Sequence, residues 1–338
     1  MHSFVKQMSI VLFVFAIVVF TGCGESGNGS VAQPPAGNPN PPASPVFPIS
    51  NTVEISSVAQ LDEIRNNLAG DYRLIADISL EAYGDWEPIG SETAPFTGTF
   101  DGNGYKITGM KIRKTTGSSS LFDVEVTQST VDLAGFFGYA HGAIITSLAL
   151  EDIDIVGGDY AGGIAGFAAD SVIRNCSSAG RISATTSPFS SAGGIAGGVR
   201  NSTIEDCSST ADIVSNDLAG GITGIATNST IRNCFSAGGV NAEWEAGGIA
   251  GNVTGSIIRD CYSTGYIHGR IAGCIAGGVC IDCTIIECVC ECTGLRDGSC
   301  GGTGIGAGGA PNSRGGNGGG GIRLRDGSGG NPDCPFLQ

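Results

Sequence analysis

A block that returns every 26 to 31 residues from Gly135 to about Cys292 limits this chain to a narrow set of architectures. Its core is Gly-Phe-Phe-Gly between Gly135 and Gly138, and Gly-Ile-Ala-Gly between Gly163 and Gly166, Gly194 and Gly197, and Gly248 and Gly251. Gly-Ile-Thr-Gly runs from Gly221 to Gly224, and a degenerate copy, Cys-Ile-Ala-Gly, runs from Cys274 to Gly277. A fixed period in this range means one supersecondary unit stacked on itself, because a single unit cannot bury its own apolar face.

Each complete copy carries a cysteine ten residues after its last glycine: Cys176, Cys207, Cys234 and Cys261. One inserted residue moves the final one to Cys288. Isoleucine stands three residues before each (Ile173, Ile204, Ile231, Ile258, Ile285). A further β-branched residue follows the first four after six positions (Ile182, Ile213, Val240, Ile267). The residues between are Ser, Thr, Asn, Asp and Gly, the pattern of short strands separated by turns. The first copy has Leu148 where the others have cysteine. A position that accepts Leu or Cys is an inward-facing core site, since a free cysteine packs as a small hydrophobe. A metal ladder or stacked disulfides are the competing readings. Neighbouring coils lie about 4.8 Å apart, whereas a relaxed disulfide wants about 3.8 Å between β-carbons. The row Leu148, Cys176, Cys207, Cys234, Cys261, Cys288 therefore reads as a buried thiol ladder.

One copy per turn gives an all-β fold, a parallel β-helix, whose six coils would rise about 29 Å. Each buried isoleucine contributes about 1.5–3 kcal/mol relative to exposure. The glycines mark tight turns or close approach of neighbouring backbones.

Residues 1–22 have the layout of an export signal: a basic start, a short apolar run from Phe4 to Phe20, then small residues. Cys23 directly after Gly22 resembles a bacterial lipoprotein signal in which Cys23 carries the lipid, with an ordinary secretory signal as the alternative. Residues 23–50, rich in Gly, Ser, Asn and Pro, form an extended tether. The net charge of −15 argues against nucleic acid as a partner. Residues 51–133 read as a cap and lead-in coils. Ser57 and Gln60 form a capping box, Val58, Leu61, Ile64 and Leu68 make an apolar stripe, and Gly70 ends the helix. Tyr72, Leu74, Ala76, Ile78 and Leu80 then alternate as one half-buried strand. A solenoid needs such a cap because its end coil exposes apolar surface and unpaired backbone.

Together with residues 72–78, 86–90 and 96–104, these repeats resemble the bacterial surface proteins with GLUG repeats, over about Ile55 to Thr293. Phe or Ile replaces the Leu of the motif, and residues 113–133 read as an insertion forming a projecting loop. The resemblance implies a β-helical stalk or binding region on an exported, surface-attached protein. Similar repeats accompany an IgA-specific metallopeptidase in some members. Its His-Glu-x-x-His signature is not in this chain, whose histidines are His2, His141 and His268, none followed by glutamate.

Chemistry is sparse elsewhere. Cys280, Cys283, Cys288, Cys290 and Cys292 have spacings that bind metal when thiolates converge. An exported protein favours disulfides or unpaired thiols at the same spacing, so no metal or cofactor is assigned. Residues 294–338 are Gly-rich, without the aspartate of calcium-binding nonapeptides, and read as a disordered tail. Glu151, Asp152, Asp154 and Asp159 could line a turn region as glycosidase-type carboxylates, although solvated surface is the default for such acids. Trp86, Tyr139, Tyr160, Trp244 and Tyr262 could stack on sugars if exposed. The expectation is a non-catalytic, membrane-anchored platform at the outer membrane or cell surface, with loop 113–133 and the turns after each glycine block presented to a glycan or protein. The alternative is a carbohydrate-active enzyme, a polysaccharide lyase or glycosidase, on the same scaffold.

Overall fold

The computed structural model describes residues 51–113, 131–278 and 280–290. The export signal, Cys23, the tether, Cys292, the tail and most of the 113–133 insertion lie outside these residues.

Each coil runs through four short strands, and the strands stack into four parallel sheets. In the first full coil, Leu133–Ala134 leads through Gly135 into Phe137–His141, then Ile144–Thr146, then Ala149–Gly157. Tyr160–Gly162 opens the next coil on Leu133–Ala134. We number the faces in that order, starting from Leu133–Ala134. Face three shows the register: Ile145 pairs with Ile173, and Ile173, Ile204, Ile231, Ile258 and Ile285 follow in unbroken succession. On face four, Ile155, Ile182, Ile213, Val240 and Ile267 do the same. Both rows are buried, as are Ile164, Ile195, Ile222, Ile249 and Ile275 of the glycine blocks. Side chains alternate along a strand, so in-register stacking turns one repeated isoleucine into one continuous apolar column.

The motif glycines are needed for space. None of them has a positive φ. A β-carbon on Gly163 would lie 2.6 Å from the carbonyl oxygen of Gly194, the matching residue one coil on, and 2.8 Å from the Ser178 β-carbon. The opening glycines Gly194, Gly221 and Gly248 face forward in the same way, onto the carbonyls of Gly221, Gly248 and Cys274. The closing glycines face back: β-carbons on Gly197 and Gly251 would lie 2.6 Å from the carbonyl oxygens of Gly166 and Gly224.

The corners use a different device. Between faces three and four, Ser147, Asn175, Asp206, Asn233, Asp260 and Glu287 all adopt φ near the left-handed helix, from 51° to 54°. Between faces two and three, Asp170, Asn201, Asn228 and Asp282 do so, with Gly142 and Gly255 at the equivalent places. Asn and Asp tolerate this region because a short polar side chain can bond locally. Beside the second corner runs a buried serine row. The backbone N–H groups of Ala143, Ser171, Ser202 and Ser229 each donate to the hydroxyl of Ser171, Ser202, Ser229 and Ser256, one coil on, at 2.9–3.1 Å.

At the N-terminal end, Val58–Glu63 is helical and continues as a 3₁₀ turn over Ile64–Asn66. Ser57 caps it by accepting from the Gln60 N–H, while the Gln60 side chain accepts from the Ser56 N–H. Leu61 and Ile64 join the core, with Val58 and Leu68 packed against it. The expected single strand after the helix is two. Asp71–Leu74 pairs with Val53–Ile55 in one sheet, and Ile78–Ser79 pairs with Lys106–Thr108 in another. The chain turns a corner between them, a break that alternation alone does not reveal because the inward phase is kept on both sides.

Candidate functional surface

The row Leu148, Cys176, Cys207, Cys234, Cys261 and Cys288 points inward, each residue at most 2% exposed. The five cysteines are free thiols. Each thiol donates to the carbonyl two residues before it, at 3.2–3.3 Å. Burial pushes the Cys207 thiol well up, and the hydrogen bond between neighbouring thiols takes Cys261 up to about 12. Such thiols are poor nucleophiles and poor metal ligands at neutral pH.

The C-terminal cysteines do not converge. Cys280 is bonded to Cys283 and Cys274 to Cys290, while Cys288 belongs to the ladder. Among the described residues, no three His, Cys, Asp or Glu side chains come together as a metal site.

Only Asp159 of the four acids lies in a turn. Glu151, Asp152 and Asp154 lie on the strand Ala149–Gly157, which carries a bulge between Leu150 and Ile153. Glu151 meets the Lys106 ammonium at 2.9 Å, and Asp154 pairs with Arg113. Asp159 accepts from the Asp132 N–H at 2.9 Å. Glu151, Asp154 and Asp159 are thus tied to the neighbouring coil.

The aromatics separate into core and surface. Trp86 is buried, donates to the Phe136 carbonyl at 3.2 Å and stacks on the Phe136 ring, which removes it as a sugar platform. Tyr139 and Tyr160 are half-buried around Phe167, at ring separations of 5.7 and 5.1 Å. Tyr262 stacks on Phe235. Trp244 is 42% exposed, with the Arg270 guanidinium 4.4 Å above its ring.

Length variation locates the surface that differs most from coil to coil. The turns after the glycine blocks are the tight left-handed corners at Asp170, Asn201 and Asn228, with no projecting loop. The connection from face four back to face one is the variable one. It has two residues at 158–159, 216–217 and 243–244, but six at 185–190. That loop accounts for the longest copy. Phe189 at its tip is 82% exposed, and the Asn216 amide donates to the carbonyls of Thr185 and Ser187, bracing it. Trp244 and Arg270 belong to the same corner, two and three coils further along. Beside them burial raises the carboxyls of Asp217 and Glu245, and Glu245 accepts from the Asn252 amide at 2.8 Å. The sequence signal for this corner was the change in period itself, with the extra length of the longest copy lying between Cys176 and Gly194.

Parallel sheets, forward- and backward-facing glycines and an inward thiol row define a parallel β-helical repeat protein. The GLUG motif is matched at residues 157–183, 190–214 and 242–267, so the chain carries GLUG repeats. A relative from Evansella cellulosilytica, named "Putative Gly-rich membrane protein", is 44% identical over 75 residues. That match covers 20% of this chain and 9% of the relative, so the chain spans a small part of that protein's length. The crystal structure of "a putative immunoglobulin A1 protease from Bacteroides ovatus" superposes with a TM-score of 0.58 at 20% identity, covering 71% of this chain and 77% of that one. A structure named "IgA1 Protease" gives 0.55 at 17% identity, over 70% of this chain and 19% of that one. At these identities the likeness is one of fold.

Proposed function

We propose that the protein is an exported, membrane-anchored platform, non-catalytic, whose variable corner presents Phe189, Trp244 and Arg270 to a glycan or protein ligand. The observation that carries this reading is the change of loop length at one corner, which also carries the exposed Phe189 and Trp244, on a scaffold whose other corners keep their length. Exposed loops on a rigid frame are where solenoids place recognition. The lipoprotein-like start at Cys23 supports the anchor, and the name of the Evansella relative supports membrane association.

Catalysis is the second reading, favoured by the names of the two structural neighbours. Against it, Glu151 and Asp154 are held in ion pairs, and no histidine in the sequence is followed by glutamate.

Two measurements test the proposal. Protease shaving of intact cells should release the folded body from native cells, and a Cys23→Ala form should be lost from the membrane fraction. Glycan and protein arrays probed with the purified body should show binding without turnover, weakened at least tenfold by Phe189→Ser or Trp244→Ala, the scale of one lost hot-spot side chain, about 1.4 kcal/mol or more. Release only after the envelope is opened would refute outward display, and detectable turnover of a bound polymer would favour the enzyme.

A further inference from the structure

The last coil departs from the repeat at the two places where the other coils hold a glycine against a serine. In the four coils upstream, from Gly163 on, the opening glycine packs on a serine across the interior: Gly163 on Ser178, Gly221 on Ser236 and Gly248 on Ser263, with β-carbons 2.6–2.8 Å apart if the glycine carried one. Gly194 meets Ser209 in the same way. In the last coil Cys274 takes the glycine position and Cys290 takes the serine position, in register with Ser263. Their α-carbons are 5.9 Å apart and they are bonded, within the usual span for a disulfide.

Both substitutions make sense only at an end. The opening glycine must lack a β-carbon because the next coil's carbonyl lies over it, as the Gly194 carbonyl lies over Gly163 at 2.6 Å. Among the described residues none is stacked in register beyond Cys274, and a side chain is tolerated there. The closing glycine faces back and is retained: a β-carbon on Gly277 would lie 2.6 Å from the Ala246 carbonyl carbon. The serine likewise serves the following coil, since the Ser178 hydroxyl donates to the Gly194 carbonyl at 2.6 Å. At Cys290 that forward role has gone.

We propose that Cys274 and Cys290 form a covalent C-terminal cap, a disulfide that pins the last coil closed across its interior and, through the Cys274 β-carbon, bars another coil from stacking in the same register. An unprotected sheet edge templates addition of other chains. At the opposite end a helix supplies apolar cover through Leu61 and Ile64. Closure proceeds by thiol–disulfide exchange with an oxidised disulfide carrier of the export compartment. One thiolate, Cys274 or Cys290, attacks a carrier sulfur and releases the other carrier sulfur as a thiolate. The second cysteine thiolate then displaces the remaining carrier sulfur. The two cysteines lose two protons and two electrons, and the carrier leaves as two thiols.

The test uses the full chain purified from an oxidising compartment. Free thiols are alkylated under denaturing conditions without reduction, and the digest is mapped. Cys274 and Cys290 should appear joined in one peptide pair, and Cys176, Cys207, Cys234, Cys261 and Cys288 should be alkylated. Amide exchange is then followed in the folded protein. The bond closes a sequence separation of 16, so its loss should speed exchange over 271–290 on the order of 100-fold, the loop-closure scale for that length. The Cys274→Gly/Cys290→Ser variant restores the upstream pair and separates loss of the bond from loss of the fold. It should exchange rapidly over 271–290 without reductant while the coils from Ile173 to Val253 keep their protection. Recovery of Cys274 or Cys290 as an alkylated thiol, or slow exchange in the variant matching the oxidised parent, would overturn the proposal.

Discussion

A β-carbon on Gly248 would collide with the carbonyl oxygen of Cys274, the matching residue of the following coil. The same relationship holds between Gly221 and Gly248. Backbone is what the added carbon would strike, and backbone held in two ladders cannot step aside cheaply. Gly221→Ala should therefore destabilise the body by about 1–3 kcal/mol or more, the scale of overpacking in a rigid interior. A fall in the urea midpoint at unchanged slope is the expected readout.

Ser229 both accepts from the Ser202 N–H, at 3.1 Å, and donates to the Thr227 carbonyl, at 2.8 Å. Ser229→Ala would leave a buried N–H without its acceptor. A loss of about 1–3 kcal/mol is expected, the cost of an orphaned buried donor. Ser229→Cys, which keeps a weak acceptor, should lose less in the same denaturation experiment.

The thiol ladder makes a pH prediction. In the folded protein the hydrogen bond with Cys234 and burial raise the Cys261 thiol from its ordinary value of 9.0 to about 12, and Cys207 also lies well above its ordinary value. The folded state then holds protons that the unfolded chain gives up. This contribution to stability is fully present below pH 9, and it is lost as pH rises from 9 towards 12. Thermal melts across that range should fall progressively, and a Cys261→Ala form should fall less steeply. Iodoacetamide should leave the five ladder thiols unlabelled in native protein at neutral pH.

Glu245 has its carboxyl raised by burial, against a smaller lowering from the Asn252 amide and a further raising from Asp217. A raised carboxyl favours the protonated folded form, so its contribution is present below the ordinary carboxylate range and lost as pH rises through the raised value. Charged Glu245 is thus a cost at neutral pH. Glu245→Gln keeps the acceptor for Asn252 and should raise the melting temperature by about 1–2 °C at pH 7, with no gain at pH 4.

The fold was legible because a stack repeats one decision. Ile173, Ile204 and Ile231 each declare the same inward phase, so one coil read correctly gives the rest. Register between coils follows from the period and needs no long-range guess. The corners were harder. Asn201 and Asn228 are residues of turn type, but the corner between faces three and four, at Asn175, Asp206 and Asn233, falls inside a polar stretch with no glycine to mark it. The serine row escaped because Ser202 and Ser229 look like solvent-facing turn residues until the next coil's N–H is placed beside them. The acids near Glu151 were misplaced for a related reason: the bulge at Asp152 hides a strand inside what reads as a turn. The variable corner was present in the sequence as spacing, and spacing alone does not say which side of the coil it lengthens.

The forward-facing and backward-facing glycines give the array a direction, and direction governs how it can be lengthened. A duplicated copy placed between two existing ones meets an opening glycine below and a closing glycine above, so each new junction repeats an old one. A copy appended after Cys274 meets a side chain where the junction needs none. Growth of such a protein by tandem duplication is therefore open in the middle and closed at the C-terminal edge, and a designer wishing to extend it should cut inside the stack.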